Sequence, residues 1–150
     1  MSQTDTDRRT DTMVNTMSNL QISEIGSQRV NESLIPVDGI SFYIMRLSKA
    51  IVVHTTGEFF IGRDVEEISK PLVDLSGLDG FEMGVSRRHA MIRPLEHGYE
   101  VTDLSSTNGT FLNEQRLIPN KPYSLTPGAR LRVGQEQLLV VYRSARVSQK

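Results

Sequence analysis

Leu104–Asn113 reads LSSTNGTFLN. Asn108-Gly109 is a strong turn signal, and Thr110-Phe111-Leu112 resumes in residues that favour strands. A bare hairpin needs only the Asn-Gly pair. Ser105, Ser106, Thr107 and Thr110 add hydroxyls that the turn does not require. The stretch therefore reads as a strand-to-strand loop built to present hydrogen-bonding groups.

Working outward, the same alternation of short apolar runs and turn residues fills the chain after Gly39. Ser41–Met45, Ala50–Val53, Glu58–Ile61, Leu72–Leu75, Ala90–Arg93, Tyr99–Thr102, Thr110–Leu112, Tyr123–Leu125, Arg130–Val133 and Gln137–Tyr142 are candidate strands. Gly77, Asp79-Gly80, His97-Gly98, Asn108-Gly109, Pro127-Gly128 and Gly134 punctuate them. Many short strands at close spacing predict an all-β sandwich or barrel. No segment past residue 38 sustains a helical period; Glu66–Lys70 is expected to form one helical turn at most.

Residues 1–37 differ in kind. They are rich in Thr, Ser, Asp and Asn, with too little apolar area to offset the entropy of ordering. The expected organisation is a disordered tail and linker over 1–37, a folded domain over 38–144 and a short C-terminal tail over 145–150. Apolar residues make up 37% of the 150-residue chain, low for a wholly folded protein and in keeping with such a tail. Lys and Arg number 17 against 18 Asp and Glu, a formal net charge of −1, which argues against a chain-wide attraction to nucleic acid or membrane. The chain contains no Cys, which excludes disulfides, thiolate metal sites and a cysteine nucleophile. No apolar run approaches membrane-helix length, and MSQTDTDRRTDT lacks the apolar core of a secretory signal, so the cytoplasm is the expected location.

Three polar clusters interrupt the strands. Gly62-Arg63 follows Phe59-Phe60-Ile61, Ser86-Arg87-Arg88-His89 precedes Ala90-Met91-Ile92, and Ser105–Thr110 follows Tyr99–Asp103. Each falls at a strand end, where loops carry function on a rigid scaffold. Gathered at one end of a sandwich, they offer guanidinium groups, hydroxyls, an amide and glycine-freed backbone N–H groups. Asp64 and Asp103 are the nearest carboxylates. Such a donor-rich pocket suits an oxyanion, and arginine matches phosphate oxygens in bidentate geometry. Residue types alone do not name the ligand.

The ordered set Phe60-Ile61-Gly62-Arg63, Ser86-Arg87-Arg88-His89-Ala90 and Asp103–Asn113, closed by Leu125–Gly134, resembles a forkhead-associated (FHA) domain over about residues 39–143. That family is an eleven-stranded β-sandwich that reads phosphothreonine in partner proteins. The resemblance implies that Arg63 and Ser86 hydrogen-bond the phosphate and that Arg87 contacts phosphate or peptide backbone. Thr107 would line the phosphothreonine pocket, and Asn108 would hold the peptide main chain. His89 would be a buried brace for the loops, with Gly62 and Gly109 permitting tight backbone and Ser106 in a supporting position. The loop hydroxyls and Asn108 then read as one wall of the pocket.

Three departures stand out. Twenty-two residues separate Arg63 from Ser86, more than in many members, which suggests a longer rim loop over Ile68–Gly84. Glu114 follows Asn113 where Gly is usual, and Ala129 follows Gly128 where Asp is usual; both are expected to be tolerated.

The expected function is a phosphothreonine-dependent interaction module, an adaptor downstream of a Ser/Thr protein kinase, monomeric, with no cofactor, no metal and no catalysis. Ser86 and His89 lack a third group to orient the imidazole, and neither a phosphate-cradling nucleotide loop nor a His-x-x-x-His pair occurs. The alternative is a phosphate-independent interaction or oligomerisation module on the same fold, self-regulated by its tail, since fold does not fix function. Thr4 and Thr10 in the tail are candidate phosphosites that could occupy the chain's own pocket at the high effective concentration a tether confers.

Overall fold

A computed structural model of the chain describes residues 14–16, 39–63 and 70–143. Strands occupy Val14–Thr16 (β1), Ile40–Ile44 (β2), Lys49–Val53 (β3), Phe59–Gly62 (β4), Leu72–Asp74 (β5), Arg88–Leu95 (β6), Gly98–Asp103 (β7), Thr110–Leu112 (β8), Gln115–Arg116 (β9), Pro122–Leu125 (β10), Arg130–Val133 (β11) and Glu136–Val141 (β12). Eleven of them lie between residues 40 and 141, as the expected sandwich requires. Within the segment expected to be a tail, residues 14–16 pair antiparallel with β3, Val14 opposite Val53 and Thr16 opposite Ile51. The rest of that tail, the C-terminal tail and most of Glu66–Lys70 lie outside the described residues.

The strands form two sheets. One has seven strands in the order β1-β3-β2-β12-β11-β8-β9, the other five in the order β10-β7-β6-β4-β5. Pairing is antiparallel except between β4 and β5, which run parallel. The inner faces interdigitate apolar side chains: Ile40, Phe42, Ile44, Leu131, Leu138 and Val140 from the larger sheet meet Phe59, Ile61, Ile92, Val101 and Leu125 from the smaller. Phe42 and Phe59 touch edge to face across the layers, with centroids 6.1 Å apart. Each such fully buried side chain contributes about 1.5–3 kcal/mol, enough for the layer as a whole to fix strand register.

The segment between Arg63 and Ser86 is not a rim loop throughout. Its middle forms β5 at the sheet edge, followed by a single 3₁₀ turn at Ser76–Leu78. Val73, Leu75 and Val85 are buried in the core, and Leu78 and Met83 pack against it. Those apolar residues explain the ordering. The segment supplies a strand's worth of burial and is anchored from both sides. Arg46, in the β2–β3 turn, donates to the Leu78 carbonyl and to Asp79, while the Gln135 N–H donates to the Met83 carbonyl.

Candidate functional site

The site is assembled where β4 ends, β6 begins and β7 passes to β8. Sequence-local chemistry positions each piece. At the end of β4, a Cβ on Gly62 would collide with the Arg87 carbonyl oxygen, so only glycine lets the two strands approach here. The Arg63 N–H then donates to that same carbonyl at 3.0 Å. Its side chain is held twice more: Nε donates to the Val85 carbonyl at 2.6 Å, and the guanidinium lies 4.9 Å from the centre of the Phe81 ring. Among the described residues neither terminal Nη group has a partner, so a guanidinium with both Nη groups available is pre-oriented at the tip.

The start of β6 carries a bulge. Ile61 opposes Ala90 but Gly62 opposes Arg88, so His89 is the extra residue. An ordinary strand would turn adjacent residues to opposite faces; the bulge lets both His89 and Ala90 be fully buried. His89 Nδ1 accepts the Ser86 N–H at 2.9 Å, and Nε2 lies 2.8 Å from the Gly109 carbonyl. An accepting Nδ1 fixes the proton on Nε2, which donates to Gly109: a neutral imidazole joining two loops. Burial pushes its pKa below the ordinary histidine value, against the opposing pull of the Gly109 carbonyl and the Asp103 charge.

The β7–β8 loop is built around Asp103, which is 1% exposed. Asp103 Oδ1 accepts the hydroxyls of Ser106 and Thr110, each at 2.6 Å, and Oδ2 accepts the Ser106 N–H at 3.2 Å. Ser106 Oγ in turn accepts the Gly109 N–H at 3.0 Å. Gly109 has φ +91°, in the region that favours glycine. The expectation that these hydroxyls form a wall of the pocket is thus corrected in part. Ser106 and Thr110 point inward to Asp103, and Ser105 Oγ accepts from Asn120 at 3.1 Å. A buried carboxylate needs donors, and these hydroxyls satisfy it.

What remains facing outward is Thr107 and Asn108, both exposed. The Thr107 N–H donates to Ser86 Oγ at 3.1 Å, which ties the loops together and leaves the Ser86 hydroxyl proton to donate elsewhere. Asn108 Nδ2 donates to the Gly84 carbonyl at 3.0 Å. Arg87 is exposed, and among the described residues its guanidinium has no partner. Arg88 diverges onto the outer sheet face, 5.6 Å from the centre of the Phe60 ring.

Arg63, Ser86, Arg87, Thr107 and Asn108 are therefore brought to one tip, with Gly62, His89 and Gly109 beneath them. Sequence reasoning missed Asp103 as the organising acceptor, although an Asp three residues before a Ser is a recognisable local bonding signature. It also missed Phe81, whose ring lies under the Arg63 guanidinium. Thr4 and Thr10 lie outside the described residues. Among the described residues no cluster of three His, Cys, Asp or Glu could hold a metal, and no helix is long and apolar enough to cross a membrane.

Two antiparallel-rich sheets with donor loops converging at one end, braced by a buried neutral histidine and a buried carboxylate, define a loop-presenting β-sandwich module. Comparison with known proteins places it further: the chain belongs to the FHA domain family, whose sequence profile matches residues 59–134. Protein FraH of Nostoc sp. is 38% identical over 79 residues, covering 53% of this chain and 27% of FraH. The oxoglutarate dehydrogenase inhibitor of Corynebacterium diphtheriae is 33% identical over 60 residues, covering 40% of each. This chain thus matches less than half the length of either curated relative. Among solved structures, the FhaA FHA domain complexed with the intracellular domain of Rv3910 is 28% identical with a TM-score of 0.51, covering 67% of this chain and 98% of that one. A domain solved in work on phosphothreonine-dependent FHA interactions is 25% identical with a TM-score of 0.55, covering 71% and 98%.

Proposed function

We propose that this chain is a phosphothreonine-dependent protein–protein interaction module. It would serve as a monomeric cytoplasmic adaptor that docks on threonine sites written by a Ser/Thr protein kinase. The observation that carries this reading is the pre-oriented Arg63 beside the Ser86 hydroxyl, with Thr107 and Asn108 tied to the same two loops. A phosphothreonine brings about −1.5 to −2 charge and three strong acceptor oxygens. Both Arg63 Nη groups and the Ser86 hydroxyl supply charge-assisted and neutral donors to those oxygens, and Arg87 adds a second cation. Thr107 borders the phosphothreonine, Asn108 meets the peptide main chain, and the threonine methyl contributes on the order of 0.8 kcal/mol if it enters an apolar niche. The solved complexes of FHA relatives, including the FhaA domain with its partner's intracellular domain, support the same mode of use. Because the chain is nearly neutral overall, attraction to the ligand is local to this tip.

Titration of fluorescent peptides tests the reading. The phosphothreonine form should bind at least tenfold more tightly than the unmodified threonine form, the effect of about 1.4 kcal/mol of charge-assisted bonding. Equal affinities would leave only a phosphate-independent module.

A further inference from the structure

A second cationic feature stands beside the tip and is used by nothing described so far. Phe111 on β8 is in register with Arg116 on β9 and with Arg132 on β11, so the three side chains share one face of the larger sheet. The Arg132 guanidinium lies 3.8 Å and that of Arg116 5.7 Å from the centre of the Phe111 ring. Arg132 is partly neutralised: it donates to the Gly134 carbonyl at 2.9 Å and lies 4.0 Å from a Glu114 carboxylate oxygen. Arg116 is exposed, and among the described residues no carboxylate pairs with it. Two like charges flanking one ring in adjacent strands repel, and the ring offsets this only in part. The same Arg116 guanidinium rests on Gly109, next to Asn108.

The geometry points to Arg116, supported by Phe111 and Arg132, as an anion subsite that takes an acidic side chain of the bound peptide. This rests on the phosphothreonine reading and deepens it. Asn108, proposed to meet the peptide main chain, is the neighbour of Gly109, against which Arg116 stands. A Glu or Asp there would reach a guanidinium that already stands between the Phe111 ring and Gly109, so less freedom is lost on pairing than for a fully solvated arginine. The subsite makes the module selective for phosphothreonines in acidic surroundings and leaves phosphate capture to Arg63 and Ser86.

The test uses the full chain and a phosphothreonine peptide with neutral flanks, in which a single Glu is walked through the flanking positions. One position should raise affinity roughly fivefold, the upper range for a solvent-facing ion pair. Arg116→Gln, which keeps the packing stem, should abolish that gain and leave the neutral-flank peptide unchanged; Arg116→Lys should retain part of it. Equal weakening of every peptide by Arg116→Gln, or no preferred Glu position in a protein that still requires phosphate, overturns the subsite alone. Loss of phosphate dependence in the unaltered chain overturns the phosphothreonine reading together with it.

Discussion

The residues of the tip divide into those whose donors point outward and those that hold them. Arg63 and Ser86 face outward with donors in reserve, so Arg63→Ala and Ser86→Ala should each weaken phosphopeptide binding by about 1.5–3 kcal/mol, the range for hydrogen bonds to charged groups. Their unfolding midpoints should stay close to the parent's, which denaturation of both variants checks. His89 belongs to the second group, and its signature is pH. The folded chain holds it neutral below the ordinary value of about 6.5, whereas the unfolded chain protonates it there. Stability from this residue is therefore fully present above about pH 6.5 and declines as pH falls below it, until the folded form also takes the proton. Urea midpoints at about pH 7.5 and 5.5 should differ in the parent, and His89→Gln should remove most of that difference. A parent midpoint unchanged between the two would contradict a neutral buried imidazole.

At the scale of elements, the turn between β8 and β9 carries a local conflict. Asn113 and Glu114 both have positive φ, 50° and 73°, the pattern of a two-residue hairpin turn that prefers Asn followed by Gly. Glu114 stands in that turn at a cost of about 1–2 kcal/mol for a residue with a Cβ in that region. Glu114→Gly should recover roughly 1 kcal/mol in a denaturant titration, less whatever the long Arg132 contact contributes. Strands with clear alternation or aromatic and β-branched runs, such as Ser41–Met45 and Arg130–Val133, were legible in the sequence because the period alone specifies them. β9 was not: Gln115-Arg116 is two polar residues, and only pairing with Phe111-Leu112 makes it a strand. The tip was legible as three clusters because Gly-Arg and Thr-Asn-Gly follow strands and Ser-Arg-Arg-His leads into one. The bulge at His89 was hidden, since it arises from a register shift between β4 and β6 that no local pattern in β6 announces. The inward turn of Ser106 and Thr110 was hidden for a related reason: hydroxyls look alike in sequence, and only the depth of Asp103 sorts them.

For the whole molecule, Arg46 ties the larger sheet to the segment between β5 and β6 at the tip end. Glu136 is 1% exposed and meets Arg46 through Oε1 at 2.7 Å and Oε2 at 3.3 Å, while Arg46 also grips Asp79 at 3.1 Å. The guanidinium thus links the β2–β3 turn, the start of β12 and the segment that leads to Ser86. Arg46→Ala should destabilise the protein by up to about 3 kcal/mol, the low end for breaking a buried pair because Arg46 is a third exposed. Arg46→Ala with Glu136→Gln should recover part of that loss, and thermal melts of the two variants check both statements. Main-chain bonds add to the side-chain wiring of the tip loops: Arg63 N–H to the Arg87 carbonyl, Leu104 N–H to that of His89, Gly134 N–H to that of Gly109, Gln135 N–H to that of Met83. Every residue except proline carries a backbone N–H, so these main-chain bonds should survive while outward side chains at 81, 87, 107 and 116 are exchanged for residues other than proline. The outward side chains of the tip are in that sense a replaceable cartridge on a fixed chassis. Libraries randomised at those four positions should keep a high proportion of well-folded clones while changing what they capture.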